Sequence, residues 1–428
     1  MSQYVESYYS KTLTSNKIYP TLSGNIEVET CIIGGGLAGI NIALELANRG
    51  HSVALVEAHK IGWGASGRNG GFVVPGYALG AEDLIKKVGV NHTRQLYSLI
   101  NDAMQKIKYR VKKYKIDCGP ISNGQLKLSL NGDKKGLQKY HNFVSKEVGL
   151  DVEYWKKDRV REAVISDYYN DGVLYKSAFQ FHVLNYVRGI ADAAVGHGAQ
   201  IFEQSRVKKV KQNTAQKVVT VENGNTVTAK NIVYACSGYI GKLSWNLANS
   251  IVPVSTYVMN TEPLGERMKD VIRVPYALLD NRFANDYYRP LSDTRILWGG
   301  RVSVFDPKPE DVSKMLHHDM IQVFPQLKDI KVESAWGGYM GYSRHKMPQI
   351  GMTAPGVWHC TAFGGYGLAA TTVGGAVMAG AITGEDNSYD LFRPFGLEFT
   401  GGSFIAPAVT QTMYWGYQLA DKLKKVIS

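Results

Sequence analysis

The sequence predicts an α/β (α+β composite) fold: a nucleotide-binding domain, discontinuous in the chain, interrupted by an antiparallel-sheet domain. Three observations predict it. Residues 27–57 read as strand, glycine-rich turn, helix and second strand. A strand–glycine–helix pattern returns near the other end, in VWHCTAFGGYG, Val357–Gly367. Between them, from about Ile251 to Trp336, alternating aromatic-rich runs are the pattern of antiparallel strands.

Each element follows in turn. EVETCII, Glu27–Ile33, is a strand rich in β-branched residues. GGGLAG, Gly34–Gly39, is the turn, and INIALELANRG carries apolar residues at helical spacing until Gly50 stops it. SVALVE, Ser52–Glu57, is a second buried strand. Leu84–Lys115 and Lys134–Gly149 read as largely helical. His182–Gly198 does too, followed by the strand QIFEQSRVKKV. KVVTVENGNTVTA, Lys217–Ala229, is two alternating runs around Asn-Gly, a hairpin signal, and NIVYACSG, Asn231–Gly238, is a buried strand. The expected division assigns residues 1–80, 160–245 and 340–395 to the nucleotide-binding domain. Residues 81–159 and 246–339 form the substrate domain, and residues 396–428 a C-terminal helical tail.

The 428 residues are 44% hydrophobic and 20% charged, an ordinary globular composition with chain enough for two domains. Cys31, Cys118, Cys236 and Cys360 are far apart, without metal-ligand or redox spacing. They are expected to be reduced and mostly buried in a cytoplasmic protein, with no metal site. The N-terminal MSQYVESYYSKTLTSNK lacks the apolar core of a secretory signal. Met347–Gly384 and Phe399–Ala420 carry no charge, but their glycines, prolines and polar residues make them poor spans, which want about 20 predominantly apolar residues. The tail MYWGYQLADKLKK places aromatics beside lysines, which leaves peripheral membrane contact as an alternative. The net charge of +12 suits acidic ligands. Its densest cluster, KIKYRVKKYK, Lys106–Lys115, reads as the solvated face of a helix, and no RNA-reading or zinc-finger motif accompanies it.

The chemistry sits in the glycines. Gly34-x-Gly36-x-x-Gly39 lies between strand and helix, and Glu57 ends the next strand 18 residues after Gly39. Gly34 makes the tight turn, Gly36 lets a pyrophosphate approach the backbone, and Gly39 lets helix and strand pack closely. The helix N-terminus, at Leu37 and Ala38, offers N–H groups and positive dipole to the phosphates. Glu57 can accept hydrogen bonds from ribose hydroxyls. This is a Rossmann-like fingerprint, and by itself it does not separate NAD from FAD. A second glycine-rich loop, GWGASGRNGG, Gly62–Gly71, follows five residues after Glu57. Such a loop suits FAD, because the chain then runs back along the cofactor. Ala65 and Ser66 are small beside phosphate, and Gly70 and Gly71 allow close approach to a flat ring.

With these motifs in place, the sequence resembles the flavin-dependent amine oxidases of the glycine oxidase/D-amino acid oxidase superfamily. It is most similar to the γ-glutamylputrescine oxidase branch, on GWGASGRNGG, ESYYS (Glu6–Ser10), YYRPLSDTRILWGGR (Tyr287–Arg301), HKMPQIG (His345–Gly351), FGGYGLA (Phe363–Ala369) and the GGSFIAPAV…MYWGYQLAD tail. The resemblance implies that Gly34, Gly36, Leu37, Ala38, Gly39, Glu57 and Ala58 hold the adenosine diphosphate half. Trp63, Gly64, Ala65, Ser66, Arg68, Asn69, Gly70 and Gly71 would line the diphosphate and flavin. Val207 would meet adenine through its backbone, and Gly238 would end a strand beside the diphosphate. Gly364, Gly365, Tyr366 and Gly367 would aim a helix N-terminus at the flavin, stabilising its reduced anion.

Covalently attached relatives use a Cys near His345–Pro348 or a His in the early glycine loop, and neither stands in its place here, so FAD is expected to be non-covalent, His345 being the possible exception. The implied reaction is hydride transfer from the carbon beside a neutral amine to flavin, hydrolysis of the imine, and reoxidation by O2 to H2O2. No side-chain base is assigned. Tyr288, Trp298, Arg301, Tyr342 and Tyr366 are the candidate substrate contacts: an aromatic wall for an amine and an arginine for a substrate carboxylate. Two alternatives stay open. One is an amine or N-methyl amino acid dehydrogenase that feeds a quinone or carrier. The other is a tRNA-modifying flavoenzyme, motivated by the charge, although nucleic acid is not the expected partner. The sequence carries no signal for an oligomeric state.

Overall fold

The computed structural model describes residues 3–401, apart from 16, 131, 213–214, 283–284 and 304–306. The part of the expected C-terminal helical tail after residue 401, with its aromatic–lysine motif, lies outside the described residues.

One sheet is mainly parallel. Its order is Gln349–Ala354, Val357–Thr361, Thr226–Tyr234, Ile26–Ile33, Val53–Val56, Gln200–Phe202. The last five strands run parallel, and Gln349–Ala354 is an antiparallel edge. The strands are near-continuous apolar runs because both faces are covered. The expected hairpin and the buried strand after it are joined. Lys217–Val221 turns back into Thr226–Tyr234, a single nine-residue strand that enters the centre of the sheet. Ile33 pairs with both Val56 and Tyr234, so the carboxyl ends of three central strands meet at one edge. That edge is where open α/β sheets bind ligands.

Helix Leu37–Asn48 packs against helix Gly367–Thr383. A Cβ added at Gly375 would stand 2.5 Å from Asn41 Cβ, so the glycines of the second helix serve close packing. The segment Gly364–Thr383 is long and apolar enough to cross a bilayer, yet it is mostly buried within the protein.

The second sheet has the order Val332–Tyr342, Val252–Thr261, Ile296–Ser303, Tyr287–Pro290, Ala277–Asp280, Ser122–Leu128, Gly172–Gln180, Phe72–Val73, with Val152–Trp155 also on Gly172–Gln180. All pairings are antiparallel except Ala277–Asp280 with Ser122–Leu128. Strand Gly172–Gln180 falls within the expected 160–245 segment of the nucleotide-binding domain, and Phe72–Val73 within 1–80, but both pair into this second sheet. Sequence periodicity near 251–336 missed one element. Helix Pro309–Val323, with Pro309 and two acidic residues in its first turn, covers the outer face of the sheet.

Most of the basic cluster is solvated as expected, with Lys112, Lys113 and Lys115 exposed, and one member departs from that role. The cluster lies mainly on helix Val90–Lys113, but Arg110 points inward and is 3% exposed. Its guanidinium donates to Glu45 Oε1 at 2.6 Å and to Asn41 Oδ1 at 2.5 Å, and Lys106 Nζ stands 2.9 Å from Glu45. Burial pushes the Glu45 carboxyl up, but Lys106, Arg110 and Arg49 outweigh it and hold the group below its ordinary value. Lys106 and Arg110 thus anchor an outer helix to the helix that opens at the first glycine motif.

Glu45→Ala leaves the Arg110 guanidinium buried without its carboxylate. It is expected to cost about 3 kcal/mol, read as a lowered midpoint in urea unfolding. A midpoint equal to wild type would contradict the pairing.

Candidate active site

A cavity of about 710 Å³ opens where the parallel strands end and runs under the second sheet. It is built from the chain upward as follows.

At one end stands Glu57, just past strand Val53–Val56. Its Oε2 accepts the Gly35 N–H at 2.6 Å and its Oε1 accepts the His59 N–H at 2.8 Å. Burial raises the carboxyl's pKa, and the two N–H bonds only partly offset that. Arg206, Val207 and Lys208 line the same end. The His59 ring stacks on Trp63 with centroids 3.9 Å apart.

The middle is backbone. At Gly39 a Cβ would lie 2.0 Å from the Gly34 carbonyl oxygen. Ser66 joins the two glycine motifs: its Oγ accepts the Leu37 N–H at 2.9 Å. That bond satisfies one open donor at the helix N-terminus, and the hydroxyl hydrogen remains to donate. Asn69 shapes its own loop by donating to the Ala65 carbonyl at 3.0 Å and accepting the Gly71 N–H at 2.9 Å. Arg68 ties the loop to strand Val332–Tyr342. It donates to Trp63 O at 2.7 Å and Gly337 O at 3.1 Å, while Trp336 Nε1 donates to Arg68 O at 2.8 Å.

At the far end, Tyr342 Oη accepts the Gly365 N–H at 3.0 Å, and its ring fills the space where Gly364 lacks a side chain. Gly365, Tyr366, Gly367, Leu368 and Thr371 present the start of helix Gly367–Thr383 to the cavity. Tyr287 faces them from the second sheet. It pairs with Gly299, where a Cβ would come 2.1 Å from the tyrosine ring. Burial pushes the hydroxyls of Tyr287 and Tyr342 up to about 12.

Most of the sequence-derived candidates line this cavity: Gly34, Gly36, Leu37, Ala38, Glu57, Ala58, Trp63, Gly64, Ala65, Ser66, Arg68, Asn69, Gly70, Val207, Gly364, Gly365, Tyr366 and Gly367 at the proposed cofactor positions. Arg301, Tyr342 and Tyr366 line it among the substrate candidates. Gly39 and Gly71 are buried behind the surface, and Gly238 is partly exposed but outside the lining. Gly39 packs on Gly34, Gly71 packs on the Phe181 carbonyl, and Gly238 lies nearest the Met340–Gly341 backbone.

Tyr288 and Trp298 are elsewhere. Both are fully buried in the core on the opposite face of the sheet, stacked at 4.2 Å and 7°. Strand alternation is the reason: Tyr287 and Tyr288 must face opposite sides. Arg301 is already paired, with Nε and Nη2 on the Asp319 carboxylate at 2.7 and 2.5 Å. His345 is buried away from the cavity lining. Its Nδ1 accepts the Met347 N–H at 3.1 Å, and its Nε2 is 3.1 Å from Gly396 O. Sequence reasoning missed Tyr287, Gln125 and Tyr239 as lining residues. Tyr287 lies one residue before the candidate Tyr288, on the other face of the strand.

The glycine cradle, the buried acid at the end of the second strand and two helix N-termini fit a flavin dinucleotide, with the phosphates at the cradle. Fold and site together are those of an FAD-dependent oxidoreductase, with a dinucleotide groove that runs on under a second, mostly antiparallel sheet.

The chain belongs to the DAO family of FAD-dependent oxidoreductases, whose model matches residues 29–381. It is 31% identical to the gamma-glutamylputrescine oxidoreductase of Escherichia coli (strain K12), over 99% of this chain and 100% of that protein. It is 30% identical to a probable oxidoreductase OrdL of Haemophilus influenzae, over 99% and 98%. The crystal structure of glycine oxidase from Geobacillus kaustophilus superposes with a TM-score of 0.73 at 20% identity, covering 87% of this chain and 99% of that one, and shares the fold.

Ser66→Ala removes the acceptor that joins the two glycine loops. FAD affinity of the apoprotein is expected to fall about tenfold, measured by quenching of flavin fluorescence. Unchanged affinity would contradict the role of Ser66.

Proposed function

We propose that the protein oxidises a primary or secondary amine, of γ-glutamylputrescine-like or amino-acid-like type, with O2 as electron acceptor. The products would be an aldehyde or oxo acid, released by hydrolysis of the imine, and H2O2. The observation that carries this reading is the continuity of the cavity. The groove of the dinucleotide motif runs directly into a chamber walled by Tyr287, Tyr342 and Tyr366.

FAD, when bound there, accepts hydride from the carbon beside the amine. The cofactor would be held by Glu57, the two glycine loops and the start of helix Gly367–Thr383, without a covalent bond. The non-covalent assignment is supported by His345, whose two ring nitrogens are engaged away from the cavity. The tyrosine walls position the substrate's apolar carbons and exclude water. The hydroxyls of Tyr287 and Tyr342, pushed up to about 12 by burial, stay protonated at working pH and donate or accept hydrogen bonds without acting as bases. Deprotonation of the substrate amine then has no side-chain base to depend on, and the neutral amine is the form that reacts. The substrate carboxylate expected at Arg301 would have to share that guanidinium with Asp319.

Two measurements test this. Peroxide and the matching aldehyde or oxo acid should form together from one of γ-glutamylputrescine, putrescine, glycine, sarcosine or D-amino acids, and the kcat/KM profile should rise with pH through the substrate amine's own pKa. Below about pH 10 no descending limb from Tyr287 or Tyr342 is expected, and Tyr342→Phe should leave the profile in place. A limb that moves in Tyr342→Phe would refute the neutral role. Acid precipitation should leave the yellow colour in the supernatant, and a yellow pellet would refute non-covalent binding.

A further inference from the structure

We infer that the side-chain amide of Gln125 is the residue that selects the substrate, by hydrogen bonding to an amide in the distal arm of an acylated diamine. This rests on the amine-oxidising reading above and names its substrate class.

Three observations carry the inference. The first is an unmet need. Gln125 is 6% exposed, lines the cavity, and among the described residues its side chain has no hydrogen-bond partner. Its amide atoms are not sealed in the core but open to the cavity, where a ligand can meet them.

The second is how the residue is aimed. Gly124, just before it, has φ +112°, and the pairing with Gly172–Gln180 shifts register between Asn123 and Gln125. A Cβ at Gly124 would lie 2.5 Å from the Tyr276 ring. The extra residues of this irregularity, Lys176 to Ala178, lie on strand Gly172–Gln180, while the positive φ of Gly124 turns the chain just before Gln125. Downstream, Leu126 and Leu128 enter the buried core on one face, so Gln125 takes the other.

The third is position. Gln125 pairs with Ala277, and Leu279, two residues on from Ala277, pairs with Tyr287. Gln125 is thus two strands from Tyr287's strand, about 10 Å across the sheet. Leu279 also lines the cavity between them. An arm of several carbons would bridge that span across an apolar floor.

The chemistry selects the partner group. A carboxamide carries both donors and an acceptor. A carboxylate would leave the Gln125 oxygen unpaired, and an ammonium would leave its NH2 unpaired. An amide can meet both needs. A plain alkylamine would meet neither, and a site built to hydrogen-bond a group discriminates strongly against analogues that lack it.

The test uses the FAD-loaded enzyme and Gln125→Met, which keeps volume and removes hydrogen bonding, with Gln125→Asn as a second variant that keeps the amide but shortens its reach. Binding is read by calorimetry with N-butylglutaramate, the analogue without the α-amino group, which has the amide but no amine to oxidise. Turnover is read with γ-glutamylputrescine and with hexylamine. Gln125→Met should weaken binding of the amide about 10–100-fold and raise KM for γ-glutamylputrescine. It should raise KM for hexylamine far less than KM for γ-glutamylputrescine, and Gln125→Asn should fall between. Unchanged amide binding, or an equal loss with both amines, would overturn the inference and mark Gln125 as structural. A wild-type enzyme that oxidises amines without preferring the acylated one would overturn it while sparing the functional reading. Failure of the wild type to oxidise any amine would overturn both.

Discussion

The rest of the structure depends on one close approach. At Gly39 the helix backbone lies so near the Gly34 carbonyl that a single methyl group would stand 2.0 Å from the oxygen. That contact fixes helix Leu37–Asn48 on strand Ile26–Ile33 and sets where its first N–H groups point. The second glycine loop is then registered against the first by Ser66, and Arg68 carries the same register to strand Val332–Tyr342. A bulky side chain at the contact would move the helix end, the loop and the wall of the chamber together.

The second sheet solves a different problem. It must be a core on one face and a chamber wall on the other. Tyr288 and Trp298 stack in the core, while Tyr287, from the same strand as Tyr288, lies over Gly299 and faces the cavity. Arg301 holds Asp319 of the helix behind the sheet, so the outer helix is fastened to a residue that also reaches the cavity surface. Polar groups on the wall therefore divide into those that brace the sheet, such as Arg301, and those left facing the cavity, such as Gln125.

Much of this was legible in the sequence, for identifiable reasons. Gly34, Gly36, Gly39 and Glu57 declare a binding loop because each glycine excludes a side chain for a separate steric cause. The loop Gly62–Gly71 was readable in the same way. What was not legible depended on facing or on distant pairing. Choosing Tyr287 over Tyr288 needs the strand's phase, which two adjacent tyrosines do not give. The inward turn of Arg110 needs Glu45, 65 residues away in the chain. Gly124 and Gln125 look unremarkable until the bulge between two paired strands becomes visible. Strand Gly172–Gln180 joins the second sheet by pairing with Ser122–Leu128, a partner that no local pattern names.

The central claim is that one continuous cavity holds FAD at the glycine loops and an amine against the tyrosine wall. The most direct measurement is the flavin absorbance of the purified protein on mixing with γ-glutamylputrescine in the absence of oxygen. Rapid bleaching, with colour restored by air, is the predicted result. Protein that carries FAD but keeps its colour with this and every other amine would contradict the claim.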